Sequence, residues 1–334
     1  MLRSIALLLC AIGLLINCSK KEKTGDQLFW SAGNKASKML NQVLADSLQV
    51  TWSTGAHTSA PIPIGAIGPE EYTRQLQGVH QNTDFFPVIN QALANRVRVI
   101  VVIGDGLGFS HMAFLLYRNI ALQNPNRTFF ERIMNEGVTG MCLNNQYGQI
   151  VTGSSEAATS IASGKKSRSG MVGLDADGYP TETMLDIAEK KQIPTGLITD
   201  TRLTHATPAG FFANIMDRGK ETEIARQLAE EYEIEVLMGG GAAYFLPEST
   251  QVTDDSGFSG LNPELNCRSK RKDKLNLIQM MKDKGYAVVC TKTEHNRLDQ
   301  QTDKMLGLFA GSEMNATIDR DDENTGEPSI PLMT

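Results

Sequence analysis

Three short stretches of this chain hold residue types at spacings that could do chemistry on an anion. Asp105 stands in Gly104-Asp105-Gly106-Leu107-Gly108, directly after the apolar run that ends at Ile103. A carboxylate there, between glycines that let backbone approach closely, suits a metal ion or a phosphate-bearing ligand. Ser154 stands in Val151-Thr152-Gly153-Ser154-Ser155-Glu156, ahead of a run of small residues ending at Ser163-Gly164-Lys165-Lys166. A serine opening a helix lies among free backbone N–H groups at the positive end of the dipole, which suits a nucleophile attacking an anion. An N-cap with close helix packing accounts for the same residues. Thr204-His205-Ala206-Thr207-Pro208-Ala209-Gly210 offers a hydroxyl and an imidazole, with Arg218 eleven residues beyond Thr207. Such a hydroxyl serves an oxygen-loving cation or its water shell, and a guanidinium clamps phosphate through two parallel hydrogen bonds.

Those residues need elements to hold them. The β-branched run over residues 97–103 reads as a strand buried in a parallel sheet, where ligands sit beyond the carboxyl ends of the strands. Residues 111–122 have a helical pattern, and Thr128 with Glu131 forms a capping box that opens another short helix. Further on, a helical stretch at 181–191 precedes a strand at 195–199, one at 221–232 precedes 235–238, and one at 275–284 precedes 287–290. This rhythm predicts an α/β fold with a largely parallel central sheet flanked by helices. Residues 319–331, polar and carrying Gly326 and two prolines, read as a surface loop.

Several classes are excluded. The dinucleotide fingerprint G-x-G-x-x-G fails because Phe109 stands at its third glycine, and a P-loop fails because Lys166 follows Gly164-Lys165 where Ser or Thr is required. With 334 residues, 41% apolar content and a net charge of -6, the composition is globular, with no basic stripe for nucleic acid. The amino-terminal stretch reads as an export signal: one positive charge at Arg3, then an apolar run over 5–16, too short to span a bilayer comfortably. Leu15-Ile16-Asn17-Cys18 resembles a bacterial lipoprotein cleavage site, with Cys18 the lipidated residue; plain secretion is the alternative. Beyond the signal, Cys142, Cys267 and Cys290 are too few for a disulfide scaffold, and either Cys267 pairs with Cys290 or all three are buried thiols.

Taken in order, these segments resemble the alkaline phosphatase family. The stretch 99–108 is similar to its first strand and metal aspartate, 151–164 to its nucleophile segment, and 204–209 with Arg218 to its magnesium and phosphate-binding stretch. Met238-Gly239-Gly240-Gly241-Ala242 is similar to a further signature. The stretch from Val50 through Gly55-Ala56-His57-Thr58 to Pro69, followed by Asn82-Thr83-Asp84, resembles the family's C-terminal part, whose G-H-T histidine binds zinc. Here it precedes the first strand, in the order of a circular permutation joined through residues 92–96. The expected organisation is a signal over 1–18, the C-terminal-like segment over 26–95, and an alkaline-phosphatase-like α/β domain over 96–334 that is incomplete at its C-terminus.

The resemblance implies hydrolysis of small phosphate monoesters through a phosphoserine, at a site of two zinc ions and one magnesium ion. Ser154 would attack as a zinc-activated alkoxide, Asp105 would bridge zinc and magnesium, Thr207 would bind magnesium, and His57 would bind the other zinc. Arg218 would hold the nonbridging phosphate oxygens. His205 would be a ligand or stand behind one, and Gly153 replaces an aspartate that orients the arginine in many members. The family segments E-G-x-x-I-D-x-x-x-H and T-x-D-H do not occur, so a fragment with very weak turnover is expected, and the rival is an exported, non-catalytic phosphate-binding relative. The resemblance further implies a possible homodimer. The export reading implies the periplasm or an outer-membrane-anchored lipoprotein, with membrane contact only through Cys18.

Overall fold

The computed structural model describes residues 4–9, 57–121, 123, 128–253, 261, 265–299 and 301–315, with only the backbone described for 4–9. Five strands form a first sheet: β1 (Ser4–Leu9), β2 (Ile62–Ile67), β3 (Gly78–Gln81), β4 (Arg98–Ile103) and β5 (Val138–Leu143), in the order β3-β5-β2-β1-β4. The pairs β3–β5 and β1–β4 are parallel, whereas β2 runs antiparallel to both of its neighbours. A second sheet holds β6 (Gly196–Arg202), β7 (Val236–Gly240), β10 (Ala287–Val289) and β11 (Met305–Leu308) in the order β10-β11-β7-β6, every pair parallel. A two-residue ladder joins β8 (Gln251–Val252) to β9 (Cys267–Arg268). The α/β class expected from the helix–strand rhythm is what forms. The parallel character is complete in the second sheet and interrupted in the first, because β2 enters from a segment outside that rhythm.

Besides one helical turn at Glu70–Thr73, the described helices are α1 (Phe85–Ala94), α2 (Phe109–Ala121), α3 (Phe129–Glu136), α4 (Ser154–Ser163), α5 (Met184–Lys190), α6 (Ala206–Ala209), α7 (Glu221–Glu231), α8 (Leu277–Asp283) and α9 (Lys292–Asn296). The expected capping box at Thr128 and Glu131 is formed, with both reciprocal bonds present. Helix α1 shows why residues ahead of the first predicted strand belong to the same body. Phe85, Val88, Ile89, Ala92 and Leu93 recur at helical spacing and are all buried. They face α4, α5 and β4. Ile64, Tyr72 and Phe85 share one core with Ala158, Ile161, Leu203 and Phe212. Each large apolar side chain so buried stabilises the fold by roughly 1.5–3 kcal/mol.

A polar knot adds register to that packing. Lys166 Nζ donates to Asn82 Oδ1 at 2.6 Å, to Gln81 Oε1 at 3.2 Å and to the Asn145 carbonyl at 2.5 Å. Loss of water around the ammonium lowers its pKa, so these oxygens take the place of solvent.

Residues 5–16, expected to be an export signal, are described only in part. Ser4–Leu9 lies as β1 between β2 and β4, with Leu9 opposite Ile103 on one side and Ile64 on the other. An uncharged apolar run beside two strand edges satisfies their backbone groups, which is reason enough for the pairing. Cys18 and the loop expected at 319–331 lie outside the described residues. Cys142 and Cys267 are free thiols, so the expected Cys267–Cys290 pairing is not formed. Burial pushes the Cys142 thiol up to about 12. Among the described residues, no helix is long and apolar enough to cross a membrane.

Candidate active site

Asp105 lies in the turn that leaves the carboxyl end of β4, where a parallel strand delivers its next residue to a shared rim. Ser154 is the first residue of α4, whose N-cap is Gly153 in an extended conformation with no side-chain cap. The backbone N–H groups of that first turn are therefore left for another acceptor. The far end of α4 stops at Gly164, where φ is +70° and a Cβ would meet the Phe86 ring at 3.0 Å. Only glycine fits both demands.

The two expected oxygen donors meet the carboxylate. Ser154 Oγ donates to Asp105 Oδ2 at 3.0 Å, with Oδ1 at 3.3 Å, and Thr207 Oγ1 donates to Asp105 Oδ2 at 3.0 Å. Residues 49 and 102 positions apart are thus joined at one group.

A basic side faces this cluster. His205 is the N-cap of α6, and its Nε2 accepts from Arg218 Nη2 at 3.1 Å. Burial first, then the Arg218 and Arg202 charges, lower its pKa to about 4, so the ring is neutral at pH 7. With Nε2 accepting, Nδ1 carries the proton, and that buried atom has no hydrogen-bond partner among the described residues. The turn bearing His205 is anchored behind: Arg202 binds Glu221 through Nε at 2.7 Å and Nη2 at 3.0 Å, and Thr204 Oγ1 donates to the same carboxylate at 2.6 Å.

His57 joins the site from the amino-terminal side. It is exposed on one face, yet the protein crowding its other side removes enough water to lower its pKa. Asp105 and Glu156 raise that pKa and Arg218 lowers it, and the ring bonds to the Thr152 backbone, two residues before Ser154. The six sequence-nominated side chains Asp105, Ser154, Thr207, His205, Arg218 and His57 therefore occupy one neighbourhood. His80, His111 and His295 take no part: His80 lies against Gln77 and Asp84, and His111 accepts from Gly108 N.

One residue escaped the sequence reading. Glu156, 2% exposed, sits in the first turn of α4 and accepts from Gly170 N at 2.5 Å. The signal was available, since an acidic residue within a small-residue helix has to be placed somewhere.

The donor set decides how much metal the site accounts for. Asp105, Ser154 and Thr207 present only oxygens, which fits part of a hard-cation shell such as that of magnesium. Zinc is a poorer match: catalytic zinc takes three protein ligands, and among the described residues no group of three His, Cys, Asp or Glu converges.

Against known proteins, the family model described as alkaline phosphatase matches residues 97–334. The chain belongs to the alkaline phosphatase family. Alkaline phosphatase 4 of Bacillus subtilis is 30% identical over 266 residues, covering 76% of this chain and 50% of that protein. The repressible alkaline phosphatase of Saccharomyces cerevisiae is 29% identical, covering 71% of this chain and 41% of its own length. Among solved structures, that of Thermus thermophilus alkaline phosphatase is 32% identical, with a TM-score of 0.47 over 56% of this chain and 34% of the other. The alkaline phosphatase from the Antarctic bacterium TAB5 is 26% identical, with a TM-score of 0.41 over 52% and 44%. The chain spans about half the length of the curated relatives it matches.

Proposed function

We propose that this chain carries the phosphate-handling part of an alkaline phosphatase that hydrolyses phosphate monoesters through a phosphoserine on Ser154. The observation that carries this reading is the Ser154–Asp105–Thr207 cluster at the N-terminus of α4, with Arg218 bonded to His205 two residues before Thr207. Asp105 holds the Ser154 hydroxyl in one orientation, so Oγ presents a lone pair outward to phosphorus. Attack forms the Oγ–P bond and breaks the bond from phosphorus to the leaving oxygen, which departs with a proton as the alcohol. Water then breaks the phosphoserine and releases inorganic phosphate. Arg218 and the free N–H groups of α4 lie where the nonbridging oxygens gather charge.

The family reading adds two zinc ions and one magnesium ion. Asp105 and Thr207 would hold magnesium, while Asp105, Ser154 and His57 are this chain's contributions toward zinc; bound metal supplies Lewis-acid charge at phosphorus. The described residues leave the zinc set incomplete, which favours a second reading, phosphate binding without turnover. Export to the periplasm, a lipid anchor on Cys18 and a homodimer complete the proposal. The apolar face of α2, with Phe114, Tyr117 and Ile120 exposed, supports an interface between copies.

The test is release of phosphate from p-nitrophenyl phosphate with zinc and magnesium added, alongside acid-stable labelling of the protein by 32P-phosphate. Ser154→Ala should abolish the label and lower any turnover at least about a thousandfold. Reversible phosphate binding with neither label nor turnover favours the binding reading. Label persisting in Ser154→Ala would remove Ser154 from the mechanism.

A further inference from the structure

Glu156 is a carboxylate in a costly place. It is 2% exposed, and its Oε2 has no hydrogen-bond partner among the described residues. Isolated buried charge is tolerated only where something requires it. Its neighbour explains the seat: a Cβ at position 153 would stand 2.7 Å from Glu156 Oε2, so the carboxylate fills space that any side chain at 153 would claim. Gly153 and Glu156 are one arrangement, on either side of the candidate nucleophile in sequence.

The other oxygen leads to the arginine. Glu156 Oε1 accepts from Gly170 N at 2.5 Å, and Gly170 in turn accepts at its carbonyl from Arg218 N at 2.9 Å. Gly170 has φ of +81°, a conformation that favours glycine and leaves its peptide without a side chain to pin it. The Arg218 backbone therefore hangs, through one residue, on the Glu156 carboxylate. Glu156 and Arg218 also act on His57 with opposite signs, which places both around the same site.

We infer that Glu156 is a positioning residue for Arg218: its carboxylate, seated in the space left by Gly153, fixes Gly170 and through it the backbone of Arg218, from which the guanidinium reaches phosphate. This rests on the proposed phosphate chemistry of the site. Glu156 touches no substrate.

The experiment is inorganic phosphate binding to the full chain by calorimetry, with zinc and magnesium present and unfolding midpoints measured in parallel. Glu156→Gln keeps an acceptor for Gly170 and should bind within about threefold of the parent. Glu156→Met keeps the volume but no carbonyl-type acceptor, and should weaken binding about tenfold or more. Gly153→Asp in the parent should clash with Glu156, whereas Gly153→Asp combined with Glu156→Ala returns a carboxylate to the same space and should recover most of the affinity. Equal affinity across these variants, with only the midpoints moving, would overturn the inference and leave the phosphate reading standing. A parent and an Arg218→Gln variant that both fail to bind phosphate would overturn both.

Discussion

The two sides of the candidate site are built differently. On the oxygen side, Asp105 accepts from Ser154 and Thr207, and three separate elements close on one carboxylate within 3.3 Å. On the basic side, His205 Nδ1 and Glu156 Oε2 are both buried without hydrogen-bond partners among the described residues. An unsatisfied buried polar atom costs about 1–3 kcal/mol, so the second side is held by its surroundings against its own preference. The oxygen side is preorganised from within. The basic side is shaped for an anion whose recognition it has to supply.

The largest effect that would sharpen this contrast is the pH response of His205. Its pKa in the fold is about 4, lowered first by burial, against 6.5 for the free ring. The unfolded chain takes up a proton below pH 6.5 that the folded chain refuses until about 4. Stability is thus complete above 6.5 and falls as pH drops through that window, at about 1.4 kcal/mol per unit. Urea unfolding of chelator-treated protein at pH 7.5 and 4.5 should show a loss that His205→Gln lacks, on the order of 3 kcal/mol or less. Carboxylates and His57 titrate in the same range, so the difference between parent and variant is the quantity to read. An identical loss in both would mean that the basic side is open to water.

Next in size is stabilisation by phosphate. A ligand that binds only the folded chain adds about 2.7 kcal/mol at one hundred times its dissociation constant. Thermal unfolding with inorganic phosphate should show this for the parent and not for Arg218→Gln. If phosphate stabilises that variant equally, the anion seat lies at the N-terminus of α4 alone, and the basic side loses its assigned task.

Much of this architecture was legible in the sequence because the relevant signals are local. Strand β4 is written in 97–103, and the capping boxes and the α7–β7 alternation sit within a few residues of their sources. The site residues were legible individually, since a strand end, a helix start and a turn each advertise themselves. Their meeting was not, because Asp105 and Thr207 are 102 positions apart and only tertiary packing joins them. Glu156 stayed hidden because its meaning depends on an absent side chain at Gly153 and on a peptide at Gly170. The placement of Ser4–Leu9 between β2 and β4 was equally hidden: an apolar run long enough to export a chain is also suitable for a buried strand.

The smallest effect tests whether the oxygen side closes on itself. Thr207→Val keeps the volume of the side chain and deletes the hydroxyl that Asp105 Oδ2 accepts. Ser154 still donates to the same oxygen, so Asp105 is never left bare, and the loss should be about 1 kcal/mol in urea unfolding. Ser154→Ala leaves Thr207 in the same supporting role and should cost a similar amount. The double variant strips the carboxylate of both hydroxyls, and its loss should exceed the sum of the two single losses, since only then does Asp105 lack both donors. Strict additivity would mean that each hydroxyl serves Asp105 independently and that the carboxylate has solvent to fall back on. The oxygen side would then be no more preorganised than the basic one, and the contrast between them would have to rest on charge alone.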